Sequence, residues 1–274
     1  MEARSEFERL AALPDSQIPL AEGALWIAAE SKPGTDVADS LAKLQTLAEG
    51  LRPRIESCLS ARAKIDLLNR ALFHEEGFKG NEGDYSSPSN SYLDAVLESR
   101  QGIPITLSIL YLDIAERLGL ECQGVGFPGH FLVKAYAEEG EIIIDPFVGR
   151  TIEIADCKAR LARATGQKIA FHPRMLNPTP SKGILQRVLR NLKLIHLAKK
   201  EFEAALGCSD RILLLAGDDL SELRDRALIY RELECTGPAL ADLERYLAYA
   251  PNDPQSAALG QIARDLAEKV RVLH

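Results

Sequence analysis

His130 and Asp145 are the two residues whose types and spacing suit chemistry. His130 opens an apolar run, residues 131–136. Asp145 closes the next, residues 141–144, just before Pro146. If the two runs pair as an antiparallel hairpin, the start of one strand lies beside the end of the next. Imidazole and carboxylate then become neighbours, and an Asp that orients a His is half of a catalytic triad. The same pair fits a plainer role, a hydrogen bond that pins the hairpin, worth about 0.5–1.5 kcal/mol net. A triad also needs a nucleophile. The nearby hydroxyls are Thr106 and Ser108, and the nearest thiol is Cys122. Thr106 is a candidate nucleophile with His130 as base, helix capping being its alternative use. Cys122 reads as a small buried cysteine or as a displaced nucleophile.

The elements that would hold this pair are legible around it. Gly102-Ile103-Pro104 leads into a helix with Leu107, Leu110, Tyr111, Ile114, Ala115 and Leu118 on one face, and Gly119 ends it. Ile105, Ile109 and Leu112 put further apolar side chains on its other faces, so it is expected to be buried on several sides. Three short strands are predicted next, over 124–127, 131–136 and 141–144, with turns at Pro128-Gly129 and Glu139-Gly140. Helix followed by an antiparallel meander is an α+β pattern.

Upstream the chain reads as helices. Phe7, Leu10 and Ala11 share a face, and Pro19 begins a second helix. Val37, Leu41, Leu44, Leu47 and Leu51 mark a third, which Pro53 is expected to bend or interrupt. Ile65, Leu68 and Leu72 continue the helical period. Trp26 is expected as a core anchor. Residues 77–90 are rich in Gly, Ser and Asn and read as loop, and Ser91 and Asp94 resemble a capping box for the helix after it.

Downstream, three prolines in 172–181 suggest a linker, and the remainder reads as helix pairs with a 34-residue repeat. Ala205-Leu206 aligns with Ala239-Leu240, Arg211 with Arg245, Leu213 with Leu247 and Asp219 with Asp253. That period is the tetratricopeptide period. Ala227, Tyr230, Ala239 and Pro251 fall where such a repeat wants a small residue, an aromatic, an alanine and a closing proline. The last helix, predicted over 253–273, serves as a cap. Arg187, Arg190, Lys193, Lys199 and Lys200 read as one basic helix face, solvated or touching a partner. The domains expected are thus 1–76 helical, 77–172 a mixed core and 181–274 the repeat tail.

Composition narrows the classes. The 274 residues carry a net charge of −7, a poor match for nucleic acid or anionic membranes. Five cysteines without a CxxC argue against a zinc cluster or a disulfide scaffold. His74-Glu75-Glu76 has no second ligand at metal spacing. With no Walker loop and no GxGxxG, no cofactor is expected. An acidic first segment and no apolar run near 20 residues point to a cytoplasmic chain.

The order of elements resembles the transglutaminase-like (papain-like thiol) core over roughly residues 95–150. The resemblance makes His130 and Asp145 the counterparts of that family's catalytic His and Asp. It also implies a Gly-x-Cys motif at the start of the central helix. Counting back 15 residues from Gly119 puts the cysteine slot at Pro104, with Gly102 and Ile103 in register. Longer stretches are similar to the bacterial SirB-type family: Gly80-Asn81, Asp84-Tyr85, Asn90-Ser91-Tyr92-Leu93, Gly102 to Ser108, and Phe127-Pro128-Gly129-His130-Phe131. That resemblance implies a helical start, a transglutaminase-like centre and a tetratricopeptide-like tail.

Three roles for the retained pair follow. His130 and Asp145 can be structural. They can belong to a repurposed cleft lined by Asn81, Asp84, Tyr85, Asn90 and Gly129, open to a peptide or small ligand. Or they can support residual hydrolysis or acyl transfer with a nucleophile other than cysteine. The leading expectation is a non-catalytic scaffold that binds a protein or peptide partner through its tail. The oligomeric state is left open.

Overall fold

The computed structural model describes residues 2–138 and 140–272, so the predicted turn residue Glu139 and the predicted helix end Leu273 lie outside the described residues. The chain divides into two compact units, Met1–Val188 and Leu189–His274. Residues 1–76 and 77–172 both fall in the first.

In the first unit, α1 (Glu2–Ala11) buries Phe7, Leu10 and Ala11. Helix α2 (Leu20–Ser31) starts behind Pro19. Helix α3 (Val37–Glu56) starts behind Asp36, whose carboxylate accepts the Asp39 N–H at 2.9 Å. Pro53 does not interrupt α3. It sits in the last turn, where its missing N–H costs one bond and the helix still reaches Glu56. Trp26 is not a core anchor either: it is half-buried, its indole N–H donating to Glu22 at 3.2 Å.

Helix α4 (Ala61–Asn69), capped by Ser60, widens into a π-type turn over Arg70–Glu75. Two short strands, β1 (Lys79–Gly80) and β2 (Gln101–Gly102), pair in parallel around α5 (Leu93–Ser99). The expected capping box is absent. Asp94 instead accepts from Lys32 Nζ at 2.7 Å and from the Thr35 hydroxyl at 3.3 Å, so distant partners win over the local cap.

Helix α6 (Pro104–Arg117) opens on Pro104, where a missing N–H costs least. Leu107, Ile109, Leu110, Tyr111 and Ile114 are all fully buried, so it is packed on several sides. Gly119, at φ +71°, ends it in the left-handed region that a glycine enters freely.

Four strands follow, not three: β3 (Cys122–Val125), β4 (Leu132–Ala137), β5 (Gly140–Asp145) and β6 (Arg150–Ile152), antiparallel in that order. β6 is three residues long, too short to show an alternation. Helix α7 (Ile154–Thr165), held by a Glu153–Asp156 capping box, covers one face. There Val125, Phe127, Leu132, Ile143 and Ile152 pack with Cys157 and Leu161. Each large apolar side chain fully buried there contributes about 1.5–3 kcal/mol. The architecture is α+β, mostly helical with one small antiparallel sheet.

Helix α8 (Ser181–Ala198) crosses the boundary between the units. The second unit continues with α9 (Phe202–Leu215), α10 (Leu220–Glu232), α11 (Thr236–Tyr249) and α12 (Ser256–Val272). A shift of 34 carries both ends of α9 onto both ends of α11. Ala205 and Ala239 are both buried, as are Ile212 and Tyr246. Leu259, Ala263 and Leu266 of α12 close the cluster around Leu243 and Tyr246.

The basic face on α8 is not a solvated one. Lys193 is 3% exposed, its Nζ lying 2.6 Å from Glu222 and 2.9 Å from Asp225. Arg190 pairs with Asp219 at 2.8 Å. Only Lys199 and Lys200 of that set are exposed. Charges read along one helix carried no sign of the acids that α10 supplies. No described helix is long and apolar enough to cross a membrane.

Candidate functional site

Asp145 ends β5 and stands one residue beyond Ile144, which pairs with Val133 of β4. His130 precedes β4, in the turn whose N–H at His130 donates to the Phe127 carbonyl at 3.0 Å. This register brings His130 Nε2 to 2.9 Å from both Asp145 oxygens. Asp145 has 0% exposure and His130 8%. A carboxylate accepts, so in this contact the His130 Nε2–H donates to Asp145.

The carboxylate has other partners. Its Oδ1 accepts the N–H groups of Phe147 at 3.0 Å and Val148 at 3.4 Å, which shapes the turn after Pro146. Arg160 of α7 forms an ion pair with its Oδ2. A buried carboxylate is tolerated because a cation and several donors surround it. The arrangement orients an imidazole and at the same time ties α7 to the β5 end.

The Phe147 ring meets those of His130 and Tyr85 in edge-to-face arrangements, at centroid distances of 6.0 Å and 6.1 Å. The ring fits because Gly80 has no side chain; a Cβ there would stand 2.5 Å from it. Arg187 of α8 donates to the backbone carbonyls of His130 at 2.6 Å and Phe127 at 3.2 Å, and lies over the Phe131 ring. Burial lowers the pKa of this guanidinium from its ordinary value, and the nearby Tyr85 opposes that shift. Partial burial pushes the Tyr85 hydroxyl up.

The loop candidates mostly bond to one another. Asn81 donates to the Asn90 side chain at 3.0 Å and accepts the Asp84 N–H at 3.1 Å. Asn90 donates to the Asp84 carbonyl at 2.6 Å and is itself buried, although the stretch reads as having little to bury. Tyr85 is the loop candidate that reaches toward His130, through Phe147, and it is half exposed. Gly129, at φ +67°, packs against α7, where a Cβ would meet Ala164 at 2.7 Å. Its glycine is explained by packing.

A nucleophile beside His130 is missing from the described bonds. Thr106 is fully buried and its hydroxyl donates to the Asn90 carbonyl at 2.8 Å. Ser108 donates to the Pro104 carbonyl at 2.7 Å. Cys122 pairs with Ala135, five residues along from His130, or roughly 16 Å of strand at ~3.3 Å per residue. Burial pushes its thiol up to about 12, away from thiolate chemistry. Cys157 senses the charges of Arg160 and Asp145 but is fully buried in the apolar cluster, and burial raises its thiol too. Among the described residues no group of His, Cys, Asp or Glu is disposed to hold a metal ion.

Sequence reasoning missed Arg160 and Phe147 and misread Arg187. Arg160 lies 15 positions beyond Asp145, in a helix whose one other arginine, Arg163, is exposed, so no local pattern marks it. Phe147 was visible only as the residue after Asp145-Pro146.

Comparisons with known proteins bear on the whole chain. A transglutaminase-like superfamily model matches residues 38–190, and a tetratricopeptide-repeat model matches residues 192–264. The chain is 36% identical to a UPF0162 protein of Xylella fastidiosa, over 90% of this chain and 89% of that one. It is 33% identical to a UPF0162 protein of Pseudomonas aeruginosa, covering 93% and 94%. It is 31% identical to Protein SirB1 of Salmonella typhimurium, covering 87% and 88%. No solved structure matches.

Proposed function

The chain belongs to the transglutaminase-like superfamily, within the group that includes SirB1 and the UPF0162 proteins, and from that premise we propose that it is a cytoplasmic, non-catalytic scaffold. Its tetratricopeptide-like tail binds a protein or peptide, and its transglutaminase-like core has given up thiol chemistry.

The observation that carries this reading is Pro104 at the first position of α6, where the superfamily resemblance places the cysteine. The hydroxyls that could replace the thiol, Thr106 and Ser108, are buried and bonded to backbone carbonyls. His130 and Asp145 then act as a bracket: with Arg160 they fasten the β4–β5 hairpin end to α7. Peptide binding by the tail rests on the repeat itself, since stacked helix pairs present an extended surface to partners.

Two measurements on the full chain test the reading. The protein is incubated with a tagged peptide thioester, an acyl donor for any active nucleophile, and analysed by intact mass. No adduct dependent on His130 is expected; an adduct lost in His130→Ala would overturn the non-catalytic reading. In parallel, crosslinked partners are compared between wild type and Leu194→Glu/Tyr249→Glu, which places charge on the exposed apolar residues of α8 and α11. Loss of the partner is expected, and retention would remove the tail as the binding surface.

A further inference from the structure

We propose that Arg187 and Tyr85 form a binding site for a carboxylate carried beside an apolar side chain, as at the end of a peptide or in an N-acylated amino acid. The site lies in the first unit and is separate from the tail surface.

Arg187 has donors to spare. A guanidinium offers N–H groups on all three of its nitrogens. Nη2 spends its own on the carbonyls of His130 and Phe127, at 2.6 Å and 3.2 Å, which fixes the side chain at the start of β4. Nε and Nη1 have no hydrogen-bond partner among the described residues, and neither atom is sealed from solvent.

No carboxylate answers the charge. Arg160, the other cation at this hairpin end, holds Asp145, whereas Arg187 makes no ion pair among the described residues. It is partly buried, and burial lowers its pKa. A cation in that position without a counter-ion is costly, and a bound anion offsets the cost.

A second donor stands nearby. Tyr85 is half exposed, and its hydroxyl makes no hydrogen bond among the described residues. The charges of Tyr85 and Arg187 bear on each other, so one anion can accept from both. Gly126 leaves room beside Nη1: a Cβ there would stand 3.4 Å from that atom and 2.9 Å from the Thr179 hydroxyl.

The charge and the wall select the ligand. One cation and one hydroxyl match a monoanion, whereas phosphate groups are recognised by clusters of arginines. The Phe147 ring, edge-to-face with those of Tyr85 and His130, gives an aromatic wall for the apolar side chain next to the carboxylate.

The full chain, labelled with the NMR-active nitrogen isotope, is titrated with N-acetyl-leucine. The reporter is the Arg187 Nε–H, the signal that vanishes in Arg187→Lys. A saturable shift is expected, with at least tenfold weaker binding of N-acetyl-leucinamide, which has the same side chain and no charge. Variants are compared through the ligand's own signals. Tyr85→Phe removes one donor from an exposed residue and should weaken binding at least threefold with no change in thermal midpoint. Arg187→Lys keeps the charge but loses the donor geometry and should cost at least tenfold. Arg62→Gln, which removes an exposed cation of α4, should bind within twofold of wild type. Acetyl-Gly-Ser-Gly-Leu separates the two sources: tighter binding than N-acetyl-leucine assigns a peptide end, equal binding a free acylated amino acid. No saturation, equal binding of the amide, tighter binding of inorganic phosphate, or unchanged affinity in Tyr85→Phe would overturn the proposal.

Discussion

His130 and Asp145 stand 15 positions apart in the chain and 2.9 Å apart in the fold, joined at the end of the β4–β5 hairpin. Arg160 holds the same carboxylate from α7, so the three side chains form one network. Asp145→Asn keeps the shape, removes the charge and strands the Arg160 cation. The expected loss is about 3–5 kcal/mol, toward the lower end because Arg160 is partly exposed. His130→Ala should cost about 1–3 kcal/mol. The double variant should lose less than the sum of the two, as coupled residues do. Urea unfolding measures all three, and strict additivity would show that the pair is not coupled.

Thr106 and Asn90 fasten the loop to α6. Thr106→Val preserves volume, removes the donor to the Asn90 carbonyl and should cost about 1–3 kcal/mol. Thr106→Ser keeps the hydroxyl and should cost less. Asn90→Ala removes the bonds to Asn81 and Asp84 together. Limited proteolysis should then cut within residues 81–90 faster than in wild type. An unchanged cleavage pattern would place the loop's order elsewhere.

In the tail, Lys193 is buried against Glu222, which also accepts from the Ser209 hydroxyl. Lys193→Met leaves that carboxylate uncompensated and should destabilise the chain by about 3–5 kcal/mol. Adding Glu222→Gln should recover most of the loss, since no buried charge is then stranded. The thermal midpoint reports both steps. Salt should shift the wild-type midpoint little through this pair, because buried charges are poorly screened.

Cys122 should alkylate slowly. Its thiol is pushed from its ordinary value up to about 12, first by burial and then by the charge of Glu121. The thiolate is the reactive form, so its fraction should rise about tenfold per pH unit across pH 7–10 with no plateau. Iodoacetamide labelling followed by site-resolved mass spectrometry measures the rate. A plateau near pH 9 would contradict the burial. Glu121→Gln should raise the rate, which tests the charge contribution separately.

Much of the fold was legible before any coordinates. The face of α6 is written at helical spacing in Leu107, Leu110, Tyr111 and Ile114. The hairpin ends are marked by Pro128-Gly129 and Asp145-Pro146, and the tail by a shift of 34 residues. These signals survive because burial repeats with the period of the backbone. β6 was missed because three residues carry no period. The capping box at Ser91 failed because Asp94 had better partners in Lys32 and Thr35, which no local window contains.

By itself the sequence determined the helical and strand periods and the pairing of His130 with Asp145 once the hairpin forms, and it set Pro104 at the start of the central helix. All of these are local, or follow from one turn. Tertiary structure decided what the polar groups are for. It brought Arg160 to Asp145, committed Thr106 to Asn90, buried Lys193 under the acids of α10 and left Cys122 facing an acidic groove. The physical reason is that a buried polar group must find partners wherever the packed chain supplies them, and those partners lie far away in sequence.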